Sequence, residues 1–326
     1  MKVTNIKGWD KNGNPQTGFY MDGYLKTNLD GVPGFLKKGY DCVGIVSGMG
    51  KVRIGKSTHA IQVGAYLAWR LAGGEIKCHQ EVINDKQKWI IDEITNPKKQ
   101  VRYTLKENVV FSAGQMMDRA VKLYKKYGPN QVIIYDEGRQ GLDSARAMES
   151  INKGMEDFFQ ECGFMGHIIL IVLPNFFKLH EDYAIARSLF LINDYADRQF
   201  NRGYFSFYNE YQKEKLFYFG KKRIGVRAKY SATTHNFYGR FSGWTPFDRK
   251  EYDNLKKKAL AAKRRTRQQA KWKKQRDGAL YLAKKYSEVS NKTLSEELSI
   301  VSGQKISPRS VDYAISNITH QKVEKD

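Results

Sequence analysis

The chain has 326 residues, with 56 Lys and Arg against 34 Asp and Glu, a formal net charge of +22. That excess argues against an acidic-surfaced metabolic enzyme, while hydrophobic and aromatic contents of 41% and 13% exclude a disordered polycation. The length allows roughly two domains with cores that need no disulfide staples.

Cys42, Cys78 and Cys162 are odd in number and widely spaced, so they form neither a disulfide framework nor a zinc pattern. Cys78 stands beside His79, but no second Cys/His pair follows. The longest apolar run, Ile168 to Leu173, falls far short of the roughly 20 residues that span a bilayer. Met1 to Asp10 lacks the apolar stretch of a secretory signal. No membrane partner is expected, and the expected compartment is a reducing cytoplasm.

In chain order, residues 1–35 read as an irregular arm with turns at Asn12-Gly13 and Asp30-Gly31. Asp41 to Val46 then reads as a buried strand that runs into Gly48-Met49-Gly50-Lys51-Val52-Arg53-Ile54-Gly55-Lys56-Ser57-Thr58 and on into an apolar helix pattern from Ala60 to Trp69. Gly50 to Ser57 matches G-x-x-x-x-G-K-[ST], the Walker A or P-loop motif. Its glycines let backbone N–H groups curl around phosphate oxygens, and the following helix N-terminus adds a positive dipole. The expected nucleotide-binding residues are Gly50, Lys51, Arg53, Gly55, Lys56, Ser57 and Thr58, with ATP and Mg²⁺ as cofactors. Lys56 is expected to reach the β and γ phosphates and Ser57 to ligate Mg²⁺. Lys51 occupies the position of the signature lysine in deviant P-loops of partition-type ATPases, although Val52 and Arg53 follow it where Gly is usual.

A strand at Asn108 to Phe111 and a helix from about Gln115 to Lys126 come next. Gln131 to Tyr135 is an apolar strand ending in Asp136-Glu137, the Walker B pattern. Asp136 is expected to hold the Mg²⁺ shell and Glu137 to polarise the attacking water. A Glu beside the Walker B Asp, with one strand between the two motifs in sequence, points to the additional-strand class of P-loop ATPases. No Asn-Lys-x-Asp base-reading motif of GTPases occurs. Strand His167 to Leu173 ends in Pro174-Asn175, making Asn175 the candidate γ-phosphate sensor, with a plain turn as the alternative. Strand Ser188 to Ile192 follows Arg187. Arg139, Arg146, Arg187, Arg198 and Arg202 are candidate arginine fingers, of which Arg187 is preferred.

Alternation predicts an aromatic hairpin, Tyr204 to Tyr211 against Lys215 to Phe219, read as a sheet extension in preference to a base-stacking platform. Arg223, Arg227, Lys229 and Arg240 follow in a Tyr- and Phe-rich context suited to a phosphate backbone. From Arg249 to Arg276, 13 basic residues stand against two acidic ones, a net of +11 and half of the whole excess. Free of Gly and Pro, this run predicts a long helix that repels itself unless polyanions are present. Lys263, Arg264, Arg265, Arg267, Lys271, Lys273 and Lys274 are its expected DNA contacts. Three short helices follow, Ala279 to Tyr286, Leu294 to Val301 and Pro308 to Asn317. Their spacing is similar to helix-turn-helix domains, with Arg309, Ser310, Tyr313 and Asn317 as exposed readers and Val311, Ala314 and Ile318 packed inward.

Gly55 to Ser57, Tyr-Asp-Glu-Gly at Tyr135 to Gly138, Ser-Ala-Arg-Ala-Met at Ser144 to Met148, Ile169 to Phe177, Arg202 to Tyr208 and Gly239 to Phe241 carry a resemblance. Over residues 40 to 250 the chain resembles the zonular occludens toxin and phage assembly group of FtsK/HerA-like translocases and packaging ATPases. The resemblance implies a ring-forming homo-oligomer, a hexamer or pentamer, that moves or packages nucleic acid for a phage or mobile element in a bacterial or archaeal cell, with a portal or other element-encoded protein as partner. Phage assembly members are membrane proteins, and this sequence departs from them in having no apolar spanning segment.

The expected fold is α/β: a P-loop NTPase of the additional-strand class with a RecA-like core and mostly parallel sheet, then a basic helix and a small all-α helix-turn-helix domain. The expected boundaries are 1–35, 36–247, 248–276 and 277–326. The expected function is an ATP-dependent DNA translocase or packaging motor. The alternative is an ATP-switched DNA-binding regulator or partition factor. A nuclease-containing terminase is disfavoured, because no carboxylate cluster suited to two metals follows Asp248.

Overall fold

A computed structural model of the chain describes residues 1–48, 54–136, 156, 163–221, 229–303 and 305–323. Contacts divide the chain into two compact units, Met1–Lys257 and Lys258–Asp326, so the division falls inside the long basic helix.

The N-terminal arm is not irregular. Strands β1 (Lys2–Trp9) and β2 (Pro15–Tyr20) pair antiparallel, and helices α1 (Gly23–Asp30) and α2 (Val32–Lys37) follow. The expected turns are real. Gly13 has φ 86°, and Asp10 organises that turn through Oδ1, which accepts the N–H groups of Asn12 and Asn14. Gly31 caps α1. The arm is ordered by burial of Val3, Phe19, Met21, Leu25 and Leu29, a pattern too sparse to read as strands from the sequence.

β3 (Cys42–Ser47) leads towards α3 (Lys56–Leu71), and an antiparallel pair with largely exposed residues, β4 (Glu75–Ile83) and β5 (Lys86–Thr95), comes next. A single turn, α4 (Leu105–Asn108), precedes β6 (Val109–Val110), which shortens the strand expected at Asn108 to Phe111. α5 (Ala113–Tyr127), β7 (Val132–Asp136), β8 (Ile168–Val172), β9 (Phe190–Tyr195), β10 (Tyr204–Asn209) and β11 (Phe237–Arg240) complete the sheet elements.

The central sheet has seven strands in the order β11-β10-β9-β3-β8-β7-β6. From β9 to β6 all neighbours are parallel, while β10 and β11 extend the sheet antiparallel. Of the strands between the two motif strands in sequence, β4, β5 and β6 rather than the single one expected, only β6 joins this sheet, and it lies at an edge. The strand between the motif strands in space is β8. Every residue of β3, β7 and β8 is buried, as expected of parallel strands covered on both faces. Val43, Ile45, Ile133, Tyr135, Ile169 and Ile171 face a core shared with Met116, Ala120 and Leu123 of α5. On the opposite face, Ile134 meets Gly64 of α3.

The second strand of the expected aromatic hairpin does not form. Glu210–Lys221 is a helix, and β10 pairs instead with β9 and β11. Lys213, Leu216 and Phe217 are fully buried at helical spacing, so tertiary packing overrides the strand propensity of Phe217 to Phe219.

In the second unit, the expected helix Ala279 to Tyr286 is the last part of one 38-residue helix, Arg249–Tyr286, with Gly278 inside it. Helices Asn291–Ser302 and Pro308–Val323 follow, capped by Ser290 and Ser307. Val311 and Ala314 pack with Leu280, Leu294 and Leu298, as expected for their inward positions. Among the described residues, no helix is long and apolar enough to cross a membrane.

Trp244 seals the N-terminal hairpin to the sheet unit. It stacks on Phe19 with centroids 4.4 Å apart, its indole N–H donates to Gln16 O at 3.3 Å, and its carbonyl accepts from Gln62 of α3 at 2.8 Å. Trp244→Ala is expected to lower stability by about 3–5 kcal/mol, measured by urea unfolding. A loss below about 1 kcal/mol would show that the hairpin contributes little to this unit.

Candidate functional site

The sheet delivers its expected chemistry to one edge, the C-terminal ends of β3, β8 and β7. Gly55 caps α3 with φ 106°, and a Cβ there would stand 2.7 Å from the Phe241 ring, so both conformation and space require glycine. Lys56, Ser57 and Thr58 follow in the first turn of α3, all half-buried. Gly50, Lys51, Arg53 and Glu137 lie outside the described residues.

Asp136, the last residue of β7, is 2% exposed. Its Oδ2 accepts a hydrogen bond from the Tyr252 hydroxyl and an ion pair from Lys256 Nζ at 2.8 Å. Ser57 also hydrogen-bonds to this carboxylate and to Tyr252. Burial pushes the Asp136 carboxyl up, but the Lys256 ammonium and the bonds from Lys256, Tyr252 and Ser57 outweigh it and hold it below the ordinary range. Burial, and then the charge of Asp136, raise the Tyr252 phenol well above its usual value. Arg249, one turn before Tyr252, donates to Thr58 Oγ1 at 3.1 Å. The root of the long helix thus lies against both expected metal ligands.

Sequence reasoning missed Arg249, Tyr252 and Lys256. Arg249 and Lys256 counted only as part of a charge run and Tyr252 not at all, yet Tyr252 and Lys256 are one helical turn apart, and only that spacing hinted at a shared face.

A second polar cluster lies on the β9 side of Lys56. His59 Nδ1 pairs with Asp194 Oδ1 at 2.7 Å, and the His59 ring stacks on Phe241 at 4.2 Å. Burial raises the Asp194 carboxyl against the lowering effects of His59 and Lys56. Among the described residues, His59 Nε2, Asn193 Oδ1 and Asp194 Oδ2 are buried without a hydrogen-bond partner.

Asn175 follows β8, beside the end of β7. Its Oδ1 accepts the Phe177 N–H at 3.0 Å, the bond expected of a plain turn. The next residue is tied to β3, because Phe176 N–H donates to the Tyr230 hydroxyl, which also bonds Ser47 at 2.8 Å. Arg187 precedes β9 and so stands at the opposite, N-terminal edge of the parallel strands, away from Ser57 and Asp136 of its own chain. Arg198 and Arg202 lie in the turn after β9, on the same edge as the site.

The expected DNA contacts fall in two places. Lys263, Arg264, Arg265, Arg267, Lys271 and Lys274 belong to the long helix, with side chains outside the described set, and Lys273 is exposed. Arg309, Ser310 and Tyr313 are exposed on Pro308–Val323, and the side chain of Asn317 lies outside the described set.

The oxygen donors Ser57 and Asp136 suit a hard cation such as Mg²⁺, and Lys256 is the positive partner of the buried carboxylate here. Residues and chemistry therefore fit the metal the motifs imply.

An acid held below its unfolded value adds stability that is fully present above that value, near 4, and is lost as pH falls through the folded one. Lys256→Met is therefore expected to cost about 3–5 kcal/mol at neutral pH by stranding a buried charge. In urea unfolding, the gap from the parent should narrow towards pH 4 as Asp136 takes up a proton. A gap independent of pH would remove Lys256 as its counter-charge.

Comparison of the chain with protein-family models and with curated protein sequences finds no match.

Proposed function

We propose that the chain is an ATP-dependent DNA translocase or genome-packaging motor, a P-loop NTPase of the additional-strand class with a RecA-like core. The observation that carries this reading is the hydrogen bond of Ser57, in the first turn of α3, to Asp136 at the end of β7, with β8 between β3 and β7. That order separates the two motif strands by one, as the additional-strand class requires.

In this reading Lys56, with the backbone of Gly50 to Gly55, binds the β and γ phosphates, and Arg53 and Lys51 add positive charge to the loop. Ser57 and Asp136 hold Mg²⁺, which neutralises the charge developing on the phosphates when bound. Glu137 orients and polarises the attacking water. Asn175, at the end of the interposed strand, has its Oδ1 held by the Phe177 N–H, so as a γ-phosphate sensor it acts through its amide N–H₂. Arg187 stands on the edge away from its own site, so as an arginine finger it acts on a neighbouring subunit of a homo-oligomeric ring, a hexamer or pentamer. The basic run of the long helix and the exposed face of Pro308–Val323 grip DNA. The resemblance to the zonular occludens toxin and FtsK/HerA-like group supports the same assignment and adds a portal or other element-encoded protein as partner.

The expected result is Mg²⁺-dependent ATP hydrolysis stimulated by DNA, reduced at least about 100-fold by Lys56→Ala or Glu137→Gln. Unchanged hydrolysis in both variants overturns the site. Replacing Lys263, Arg264, Arg265 and Arg267 together with Gln should weaken DNA binding and flatten its salt dependence, with basal hydrolysis retained. An unchanged salt slope would make this run a solvated segment.

The capped helix pair ending in exposed Arg309, Ser310 and Tyr313 favours a second reading, an ATP-switched DNA-binding regulator or partition factor. Triplex displacement along DNA separates the motor from the regulator, which would instead leave one footprint at a short palindrome.

A further inference from the structure

The turn between β9 and β10 is held from inside by one carboxylate. Asp197 Oδ1 accepts the N–H groups of Gln199 and Asn201 at 2.9 and 2.8 Å, and Oδ2 accepts the Asn201 amide at 2.9 Å. Across the turn, Asp197 N–H donates to Asn201 O and Phe200 N–H to Asp197 O. Both oxygens of the loop's acidic group are thereby engaged within the turn, and the Tyr204 side chain hydrogen-bonds the same carboxylate. Arg198, Gln199, Phe200, Asn201 and Arg202 are left exposed.

Phe200 is at once 76% exposed and at φ 64°. The left-handed region is disfavoured for a bulky residue, so the turn holds this ring at the tip at a conformational cost. Behind the tip, Tyr195 and Tyr204 face each other across the strands and stack with centroids 5.9 Å apart. Arg240, opposite Tyr204 on β11, places its guanidinium 4.7 Å from that ring centroid and donates to the Tyr204 hydroxyl at 3.0 Å. An arginine therefore flanks an aromatic face within the sheet, and exposed Arg198 and Arg202 stand two residues to either side of Phe200 at the tip, the combination of ring and cation that binds unpaired bases and the phosphates between them. Because β9 runs parallel to β3, the tip projects from the same edge as Ser57.

We infer that this hairpin tip is a contact site for single-stranded nucleic acid, with Phe200 stacking on a base and Arg198, Arg202 and Arg240 pairing with phosphates. The inference rests on the nucleic-acid reading above but assigns residues separate from the basic run of the long helix. A duplex keeps its bases stacked on one another, so the ring of Phe200 selects for a strand whose bases are free.

The test uses the full chain and a fluorescein-labelled dT₂₀ oligonucleotide, titrated by anisotropy at several salt concentrations, with a duplex of equal length alongside. Phe200→Ala should weaken dT₂₀ binding about 10-fold without changing the salt slope, and Phe200→Trp should restore it. Arg198→Gln with Arg202→Gln should lower the slope by about 1.4, or roughly 0.7 for each lost phosphate contact. Duplex binding should stay within about twofold for the Phe200 variants. If the parent binds dT₂₀ and Phe200→Ala binds it equally, the inference falls and the nucleic-acid reading survives. Equal weakening of duplex and dT₂₀ overturns base stacking, and a parent that binds neither overturns both readings.

Discussion

A buried carboxylate at the end of a central strand is the constraint on which this arrangement depends. Asp136 is removed from water, and an isolated charge there would cost several kcal/mol, so the fold must bring positive charge and hydrogen-bond donors to it. It does so from two directions. Ser57 comes from the first turn of α3, while Tyr252 and Lys256 come from the root of the long helix. One carboxylate therefore ties the start of α3, the central sheet and the start of the basic helix together. Phe111 packs edge-on against Tyr252, and Arg249 bonds Thr58, so the anchoring is steric as well as electrostatic.

The sheet makes this convergence possible. Parallel strands align their C-terminal ends, and with β8 between β3 and β7 both motif strands end on the same side of the sheet. On the other side of β3, the chain reverses after β9 and adds two antiparallel strands. Phe205 and Phe207 point to one face of this extension, where Phe207 stacks on Phe237 and His59 lies against Phe205. Tyr195, Tyr204 and Arg240 occupy the other. A strand has only two faces, so burying phenylalanines on one side presents tyrosines and arginine on the other.

Much of this was legible in the sequence because it is local. Continuous apolar runs marked β3, β7 and β8 to within a residue and β9 to within three, since strands buried on both faces carry no polar alternation. Ser307-Pro308 marked the start of the last helix through capping and a fixed first turn. What failed depended on distant partners. Lys215 to Phe219 has the composition of a strand, yet Leu216 and Phe217 complete the core below β8 from a helix. Gly278 read as a helix end, but a glycine costs a helix interior only about 1 kcal/mol, and Leu280, two residues on, is packed against Val311 and Ala314. β4 and β5 escaped notice because their residues are mostly exposed and show no apolar face.

The sequence by itself determined the motif chemistry: a glycine-rich loop after a buried strand, an acidic pair after another, and a basic run long enough to be one helix. Each of these is encoded within about a dozen residues, the range over which backbone geometry and periodicity act. Only the tertiary structure decided that β8, from later in the chain, separates the two motif strands, that the arm at 1–35 folds as a hairpin and two helices, and that Lys256 is the cation on Asp136. These two residues are 120 positions apart. Their pairing arises from the packing of a helix root against a strand end, and no spacing within either segment encodes it.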